Sequence, residues 1–234
     1  MLPSSLDTSR WADLAQSVDR HGYAVLDRLL EPAQCEHLAN RYDDDARYRA
    51  TIVMARHGFG RGQYRYFAYP LPPLVDDLRH ALYPALAPIA DEWNRRLGVT
   101  VRYPPELDAF LERCRLAGQT RPTPLILEYG AGDYNCLHQD LYGEHVFPLQ
   151  VAILLSQPGR DFDGGEFVIV ENAAGRRRAQ VVGLQQGDAV VFAVNQRPVA
   201  GARGRVRKAA MRHGVSVVRG GRRHTLGVIF HDAR

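Results

Sequence analysis

Hydrophobic and polar positions alternate differently in the two halves of the chain. In the first half, apolar side chains recur every three or four residues, which predicts amphipathic helices. A short apolar run, Tyr23 to Leu26, predicts one strand among them. Pro84 and Pro88 should kink or split the long third helix, because proline removes a helical hydrogen bond. The predicted helices cover 9–20, a segment beginning at Pro32, 74–97 and 106–117.

After Pro122 the pattern changes to short apolar runs separated by glycine and aspartate turns. Short strands that follow a helical half are typical of an α+β fold. We therefore expect a double-stranded β-helix, or jelly roll, over residues 122–234. A mainly helical N-terminal region, residues 1–121, should pack on it as an annex within one integrated domain. The eight predicted strands cover 124–129, 134–140, 146–156, 166–170, 179–182, 189–194, 211–218 and 224–231.

The stretch 51–72 fits neither pattern. Its glycines at 58, 60 and 62 alternate with His57, Phe59 and Arg61 before a group of aromatic residues. The spacing is not that of a dinucleotide-binding loop, which needs a different glycine spacing and a following helix. Two interpretations stay open: the stretch lines a substrate opening, or it is a packed strand that follows a loop.

Composition narrows the class of protein. The chain has 234 residues, of which 45% are hydrophobic, as in an ordinary globular protein. It contains no run of about 18 apolar residues, so we expect no membrane span. Its N-terminus lacks the basic start and apolar core of a secretory signal. Three cysteines without a CxxC pair favour reduced thiols and a cytoplasmic location.

Positive charge is concentrated late in the chain. Residues 1–188 hold 20 basic and 25 acidic side chains, whereas residues 189–231 hold nine basic and no acidic ones. The basic segment 197–223 could therefore contact the phosphates of a nucleic acid. Because Lys208 is the only lysine, the many arginines could instead reflect genomic composition. The candidate substrate contacts are Arg207, Arg212 and Tyr142.

His138-Gln139-Asp140 is the first candidate for chemistry. Side chains at positions i and i+2 of a strand point to the same face, so His138 and Asp140 should aim at one point. A histidine from a distant strand would complete two imidazoles and one carboxylate, the facial triad of non-haem Fe(II) sites. By itself the tripeptide is weak evidence, since His-x-Asp occurs by chance in most chains of this length.

The motifs around this tripeptide make the case stronger. The motifs are Tyr129-Gly130-Ala131-Gly132 leading to His138-Gln139-Asp140, then Phe162-Asp163-Gly164-Gly165-Glu166-Phe167, Gly187-Asp188-Ala189-Val190-Val191-Phe192, and His213-Gly214-Val215-Ser216 with Arg223 ten residues on. Their order along the chain resembles that of the 2-oxoglutarate and Fe(II)-dependent dioxygenases. The second and third motifs are similar to the glycine-glycine-glutamate hairpin and the Gly-Asp strand of the prolyl-hydroxylase-like members.

The resemblance implies a complete site. His138, Asp140 and His213 would be the catalytic Fe(II) ligands, and 2-oxoglutarate would chelate the metal through its keto group and adjacent carboxylate. Arg223 and Tyr129 would hold the far carboxylate, where a planar guanidinium suits a carboxylate well. With O₂, such an enzyme hydroxylates its substrate while 2-oxoglutarate is converted to succinate and CO₂.

Several neighbours compete for these roles. Arg222 and Arg223 should point to opposite faces of a strand, and periodicity cannot decide which one enters the barrel. The family spacing favours Arg223, which would turn His224 outward. His145 and His231 are further alternatives for the third metal ligand, although each is more typical of a surface or packing histidine.

The substrate is less well defined. The spacing from Tyr129 to His138 is similar to that of AlkB-type demethylases, but Leu127 stands where those enzymes have asparagine. The chain resembles more closely a bacterial oxygenase family proposed to act on damaged nucleic acid. Oxidative demethylation of an alkylated base is the first hypothesis, and hydroxylation of a protein side chain or small molecule is the second. A cupin-like metal protein without 2-oxoglutarate and a non-enzymatic basic nucleic-acid-binding domain stay open as other classes. The oligomeric state is left open.

Overall fold

A computed structural model describes residues 8–141, 143–201 and 204–234. The helices of the described residues lie where the apolar spacing predicts them. None of these helices combines the length and the apolarity that crossing a bilayer requires. The four helices are α1 (Thr8–His21), α2 (Pro32–Ala39), α3 (Pro73–Arg96) and α4 (Leu107–Leu116).

Helix α3 stays continuous through both of its internal prolines, so the predicted split is wrong. Pro84 and Pro88 are exposed, one turn apart, whereas Leu78, Leu82 and Leu86 on the other side are fully buried. Packing of the apolar side stabilises the helix enough to tolerate the backbone hydrogen bonds that the prolines cannot make.

The described residues form fourteen strands, five more than the nine predicted. The additions are short strands, edge strands and strands in the first half of the chain. The strands are β1 (Tyr23–Leu26), β2 (Tyr48–Val53), β3 (Gly60–Arg61), β4 (Gln63–Phe67), β5 (Leu125–Gly130), β6 (Tyr134–His138), β7 (Leu149–Leu154), β8 (Phe162–Gly164), β9 (Phe167–Ala173), β10 (Arg176–Val182), β11 (Ala189–Ala193), β12 (Gln196–Ala200), β13 (Val206–Val215) and β14 (Val218–Val228).

Two antiparallel sheets make the jelly roll. The larger has the order β1-β11-β7-β14-β5-β4-β2, with β8 paired to β14. The smaller has the order β10-β9-β13-β6-β3, with β12 paired to β13. Strand β12 carries Pro198, which lacks an amide donor and is tolerated because β12 has only one partner strand.

Burial along the strands reflects what covers each sheet. Every residue of β7 and β11 is buried, as expected for central strands covered on both faces. Strand β9 instead begins by alternating buried and half-buried residues, which indicates one more open face. The edge strand β10 begins with Arg176, Arg177 and Arg178, all exposed, and such charges discourage pairing with another chain.

The first half of the chain contributes strands as well as helices. The stretch 51–72 holds half of β2 together with β3 and β4, and β4 pairs with β5 while β3 pairs with β6. Strand β1 pairs with β11 at the other edge of the larger sheet. Residues 1–121 and 122–234 therefore share both sheets, and the N-terminal region is more than a helical annex.

A buried ion pair ties α3 to the end of the chain. Arg79 is fully buried, and its Nη2 lies 2.8 Å from Asp232 Oδ1. Its Nε donates to the Ile229 carbonyl at 2.7 Å, and the Tyr69 hydroxyl donates to Asp232 Oδ2 at 2.8 Å. This network fixes the segment after β14, close to the cavity described below.

Candidate metal centre

Strand β6 and the residues directly after it supply two of the three predicted metal ligands. His138 is its last residue, and Asp140 follows two positions later, with His138 Nε2 3.4 Å from Asp140 Oδ1. The Nδ1 of His138 lies 2.8 Å from the Cys136 carbonyl, which accepts its hydrogen bond when Nδ1 carries the proton. That contact leaves Nε2 free to face the carboxylate, the arrangement usual for a histidine that binds a metal.

Strand β13 brings the third predicted ligand from 75 residues away in the chain. His213 pairs directly with His138 across the ladder, with ring centroids 4.2 Å apart. Its Nε2 lies 3.4 Å from Asp140 Oδ2. One ligand atom from each of the three residues falls within 4.8 Å of the other two. Two imidazoles and one carboxylate at this spacing match the donor set of a non-haem Fe(II) site.

Burial and charge together determine the protonation of the three side chains. Burial would raise the pKa of Asp140, but hydrogen bonds with His138 and His213 outweigh it and hold that pKa well below its usual range. Burial lowers the pKa of His213, which packs beside the rings of Phe167 and Phe192. Burial also acts to lower the pKa of His138, yet its hydrogen bond to Asp140 raises that pKa overall. A carboxylate beside a neutral imidazole is well suited to a divalent cation.

Strands β14 and β5 of the larger sheet carry the predicted co-substrate residues. Arg223 in β14 pairs with Tyr129 in β5 and is only 2% exposed. Burial lowers the pKa of Arg223 to about 10. Its Nη1 donates to Thr225 Oγ1 at 2.6 Å, while its Nε is buried without a hydrogen-bond partner. No carboxylate of the described residues lies within 4 Å of its nitrogens. A buried cation in this state needs an anionic ligand, since an unpaired charge is costly to bury.

The neighbours of Arg223 point the other way. Arg222 has 66% of its side chain exposed and lies 3.5 Å from Glu128 on the outer face of the sheet. His224 also contacts Glu128, with 3.1 Å between its Nε2 and Glu128 Oε2, and its ring meets the edge of Tyr42. Strand alternation therefore places Arg223 in the interior and separates Arg222 and His224 from the triad.

One cavity joins the two groups of residues. It has a volume of about 220 Å³ and lies between the sheets, with mainly apolar walls. The triad contributes one side of its lining, and Tyr129, Arg223 and Thr225 contribute another. The Tyr129 hydroxyl is buried and has no hydrogen-bond partner of good geometry in the described residues. The orphaned donors of Tyr129 and Arg223 fit a carboxylate, and the triad fits Fe(II).

The predicted substrate contacts on β13 lie apart from this cavity. Arg207 and Arg212 are exposed and do not line it. Tyr142 lies outside the described residues. His231 is fully buried and its Nδ1 accepts a hydrogen bond from the Phe147 amide at 3.2 Å, so it packs against the core. The Ser216 hydroxyl donates a hydrogen bond to Glu166, which follows the Gly164-Gly165 turn.

The basic segment 197–223 is not one surface. Arg197 and Arg223 at its two ends are buried, and Arg197 pairs with Glu171. Arg219 lies 3.7 Å from Glu166. Cations that are neighbours in the sequence thus lie in different environments in the structure, some buried and some exposed.

The structure also adds residues that the motifs do not contain. Gln150 in β7 is 4% exposed, lines the cavity and has a buried amide nitrogen without a hydrogen-bond partner. Thr225 and Tyr64 also contribute to the lining. Phe59 lines the cavity as well, and its side chain is also exposed to solvent. The position of Gln150 in the otherwise apolar run of β7 is the sequence feature that could have identified it as a site residue. Nothing local in the sequence distinguishes the other three.

Comparison with known proteins identifies the relatives of this arrangement. Residues 62–233 match the model of a family described as oxygenases catalysing oxidative methylation of damaged DNA. The chain is 50% identical over 171 residues to the uncharacterized protein Rv2227 of Mycobacterium tuberculosis (strain H37Rv). That alignment covers 71% of this chain and 72% of the relative.

Solved structures share the fold at low sequence identity. A Pseudomonas putida prolyl-4-hydroxylase is 17% identical with a TM-score of 0.53, over 96% of this chain and 99% of that one. An oxidoreductase of the 2OG-Fe(II) oxygenase family from Burkholderia pseudomallei is 18% identical with a TM-score of 0.54, over 95% and 92% of the two chains. The predicted jelly roll is therefore confirmed.

Proposed function

The chain belongs to the family of oxygenases described as catalysing oxidative methylation of damaged DNA, and from this membership we propose that its cavity binds Fe(II) and 2-oxoglutarate together. One observation carries the proposal: a buried arginine without an anionic partner shares a cavity with two imidazoles and a carboxylate. In this assignment the metal ligands are His138, Asp140 and His213, and the co-substrate residues are Arg223 and Tyr129.

The three ligands hold a cation from one side only. His138 and His213 come from paired strands and Asp140 from the turn after β6, so their donor atoms approach from the smaller sheet. His138, Asp140 and His213 would therefore hold Fe(II) and leave it accessible from the cavity. The ionised Asp140 contributes the single negative charge of the ligand set.

Arg223 anchors the far carboxylate of 2-oxoglutarate. Its guanidinium can donate two parallel hydrogen bonds to one carboxylate, and such charge-assisted pairs are strong because arginine stays charged at neutral pH. Thr225 orients the guanidinium through the contact with Nη1, and the orphaned Tyr129 hydroxyl donates to the same carboxylate. The co-substrate thus replaces the missing partners of two buried donors.

When bound, Fe(II) and 2-oxoglutarate reduce O₂ so that one oxygen atom enters succinate, with loss of CO₂, and the other enters a C–H bond of the substrate. The chain itself contributes a dry environment for this chemistry, because Leu125, Val151, Phe167 and Phe192 line the cavity. Water is thereby kept away from the reacting groups.

The substrate we propose is an N-alkylated base of a nucleic acid. Hydroxylation of an N-methyl group yields an unstable N-hydroxymethyl group, which releases formaldehyde and restores the N–H, so the net result is demethylation. The description of the family names damaged DNA, which supports a nucleic-acid substrate. The base would be single-stranded or flipped out of a duplex, since its methyl group must reach the cavity. A cytoplasmic location is part of the proposal, and the three free cysteines agree with it.

Anaerobic titration of 2-oxoglutarate into the Fe(II)-loaded protein tests the site. We expect binding by the wild type, loss in His138→Ala, and at least a tenfold weaker affinity in Arg223→Met, because a charge-assisted hydrogen bond contributes about 1.5–3 kcal/mol. Arg222→Met is the matched control, since it removes the adjacent but outward-facing guanidinium and should bind normally. Absence of binding to the iron-loaded wild type would refute the co-substrate assignment and favour a cupin-like metal protein.

A further inference from the structure

We propose that the segment 56–61, here called the rim loop, is a single-stranded nucleic-acid platform on which Phe59 stacks against a base. The proposal rests on the proposed function, because it gives the alkylated strand a binding surface beside the metal ligands. It also places that surface elsewhere than the basic segment 197–223, whose end cations are buried.

Backbone pairing holds the rim loop directly against the strand that carries His138. Gly60 pairs with Asn135, and the Cys136 amide donates to the Phe59 carbonyl at 2.9 Å. Phe59 is therefore next to a residue only two positions from His138. A side chain at Gly60 would place its Cβ 2.3 Å from the Tyr134 carbonyl oxygen, so only glycine lets the loop approach this closely.

Phe59 has the exposure and orientation of a stacking residue. It lines the cavity, yet it is 46% exposed, a cost for an aromatic side chain that has no ligand. Its ring stacks on His57 with centroids 5.5 Å apart and planes 22° from parallel. A ring already supported by one partner, and exposed beside a cavity, is well placed to stack on a base.

Charge beside the aromatic pair points to a polyanion. Arg56 and Arg61 flank the pair and are both exposed. Arg61 has only a distant contact with a carboxylate, 3.9 Å to Asp133. Single-strand binding surfaces combine cations for the phosphates with aromatic rings for the bases, and the rim loop offers both within six residues.

The interior of the cavity carries an independent indication of the same ligand. Gln150 presents a buried amide without a hydrogen-bond partner to a cavity with mainly apolar walls. The edge of a base offers donors and acceptors that a side-chain amide can match, as in enzymes that read a flipped base. Phe59 would hold the face of a base at the mouth, and Gln150 would read its edge inside.

Binding of a short fluorescein-labelled single-stranded oligodeoxynucleotide with one N-methylated cytosine, followed by anisotropy in metal-free protein, tests the platform. We expect Phe59→Ala to weaken binding about tenfold, the effect of losing one base–aromatic stack. Phe59→Trp should bind like the wild type and Phe59→Leu like the alanine variant. Leu116→Ala, which removes an exposed apolar side chain of α4, is the control and should bind normally.

The salt dependence of oligonucleotide binding distinguishes the contribution of the arginines from that of the Phe59 ring. The logarithm of the binding constant should fall linearly with the logarithm of salt concentration, and Arg61→Gln should reduce the slope by about one. Gln150→Leu should weaken binding of the methylated strand more than that of the unmethylated strand. Equal loss on both strands, or a loss of 2-oxoglutarate binding in this variant, would overturn the role of Gln150 as a base reader.

The result that overturns the platform differs from the one that overturns the oxygenase site. Wild-type affinity in Phe59→Ala or Phe59→Leu, or no oligonucleotide binding by the wild type, would refute the platform even if 2-oxoglutarate binds. Failure of the 2-oxoglutarate titration would refute the co-substrate site even if the oligonucleotide binds.

Discussion

At the scale of single residues, the site depends on one buried charge and the groups that position it. Arg223 packs between the rings of Tyr129 and Phe162, each with its centroid 5.7 Å from the guanidinium carbon. On another side its aliphatic stem meets the backbone of Gly165. Because the charge has no carboxylate partner in the described part of the chain, its position has to be maintained by shape rather than by an ion pair.

Gly165→Ala tests this positioning role. The new Cβ would lie 2.9 Å from Arg223 Cδ and 2.8 Å from Val218 Cγ2, at a residue whose φ is +62°. We expect a 2-oxoglutarate affinity at least tenfold weaker, since the guanidinium must move. The change should also cost about 1 kcal/mol in the free energy of unfolding from backbone strain. Calorimetric titration and urea denaturation measure the two effects.

Gly175→Ala is the matched control. Gly175 also has a positive φ, +78°, but its new Cβ would meet nothing within 4 Å. It should lose similar stability and keep its affinity for 2-oxoglutarate. Equal affinity in the two variants would show that Gly165 does not position Arg223.

At the scale of elements, β14 sorts adjacent side chains into two environments. Arg223 and Thr225 face the cavity, whereas Arg222 and His224 contact Glu128 on the outer face. Strand β6 uses the same alternation to turn His138 inward and leave Leu137 exposed. Alternation along the strand thus determines which side chains face the cavity. A one-residue shift in register would bury the wrong arginine.

Helix α3 carries a prediction about stability. Pro84 is exposed in the helix interior, where proline costs up to about 3 kcal/mol relative to alanine. We expect Pro84→Ala to raise the free energy of unfolding by roughly 1–3 kcal/mol, measured by urea denaturation, with no change in 2-oxoglutarate binding. Pro105→Ala, in the exposed segment before α4, should instead lower stability slightly through chain entropy. A loss of stability in Pro84→Ala would mean that the helix is adapted to its prolines.

At the scale of the whole molecule, both halves of the chain build the cavity. Tyr64 of β4 and Phe59 of the rim loop line it together with residues of β5, β6, β7, β13 and β14. The end of the chain is held nearby by the Arg79–Asp232 pair and by His231. The rim loop lies directly before residues 62–233, which match the family model.

Global stability should depend on pH through His231. Burial lowers the pKa of His231 from 6.5 to about 4, so the folded protein keeps this ring neutral. The unfolded chain takes up the proton first as pH falls, and the stabilisation present above pH 6.5 is lost as pH approaches 4. The loss should be on the order of 3 kcal/mol.

Urea denaturation across this pH range compares the wild type with His231→Asn, which retains an acceptor for the Phe147 amide. The variant should be less stable at neutral pH, because a smaller side chain leaves space in the core. Its stability should fall less steeply with acid. Parallel curves for the two proteins would show that His231 does not titrate on unfolding in this range.

The sequence by itself determined the local features of this protein. Apolar spacing located all four α-helices of the described residues and most strands of the second half, and the His138-x-Asp140 spacing indicated two ligands that face one point. These features follow from the 3.6- and 2-residue periods of helix and strand, which act over a few residues. The motif order identified the oxygenase class, which the family match confirms.

Only the tertiary structure decided which distant groups meet. The pairing of His213 with His138, the inward choice of Arg223 over Arg222 and the closeness of the rim loop to β6 all depend on strand register between separated segments. The basic segment 197–223 is divided for the same reason, because burial is a property of the packed sheets and not of the run of residues. Edge strands such as β12 and β3 escape prediction because their hydrogen-bond partners, rather than their own patterns, make them strands.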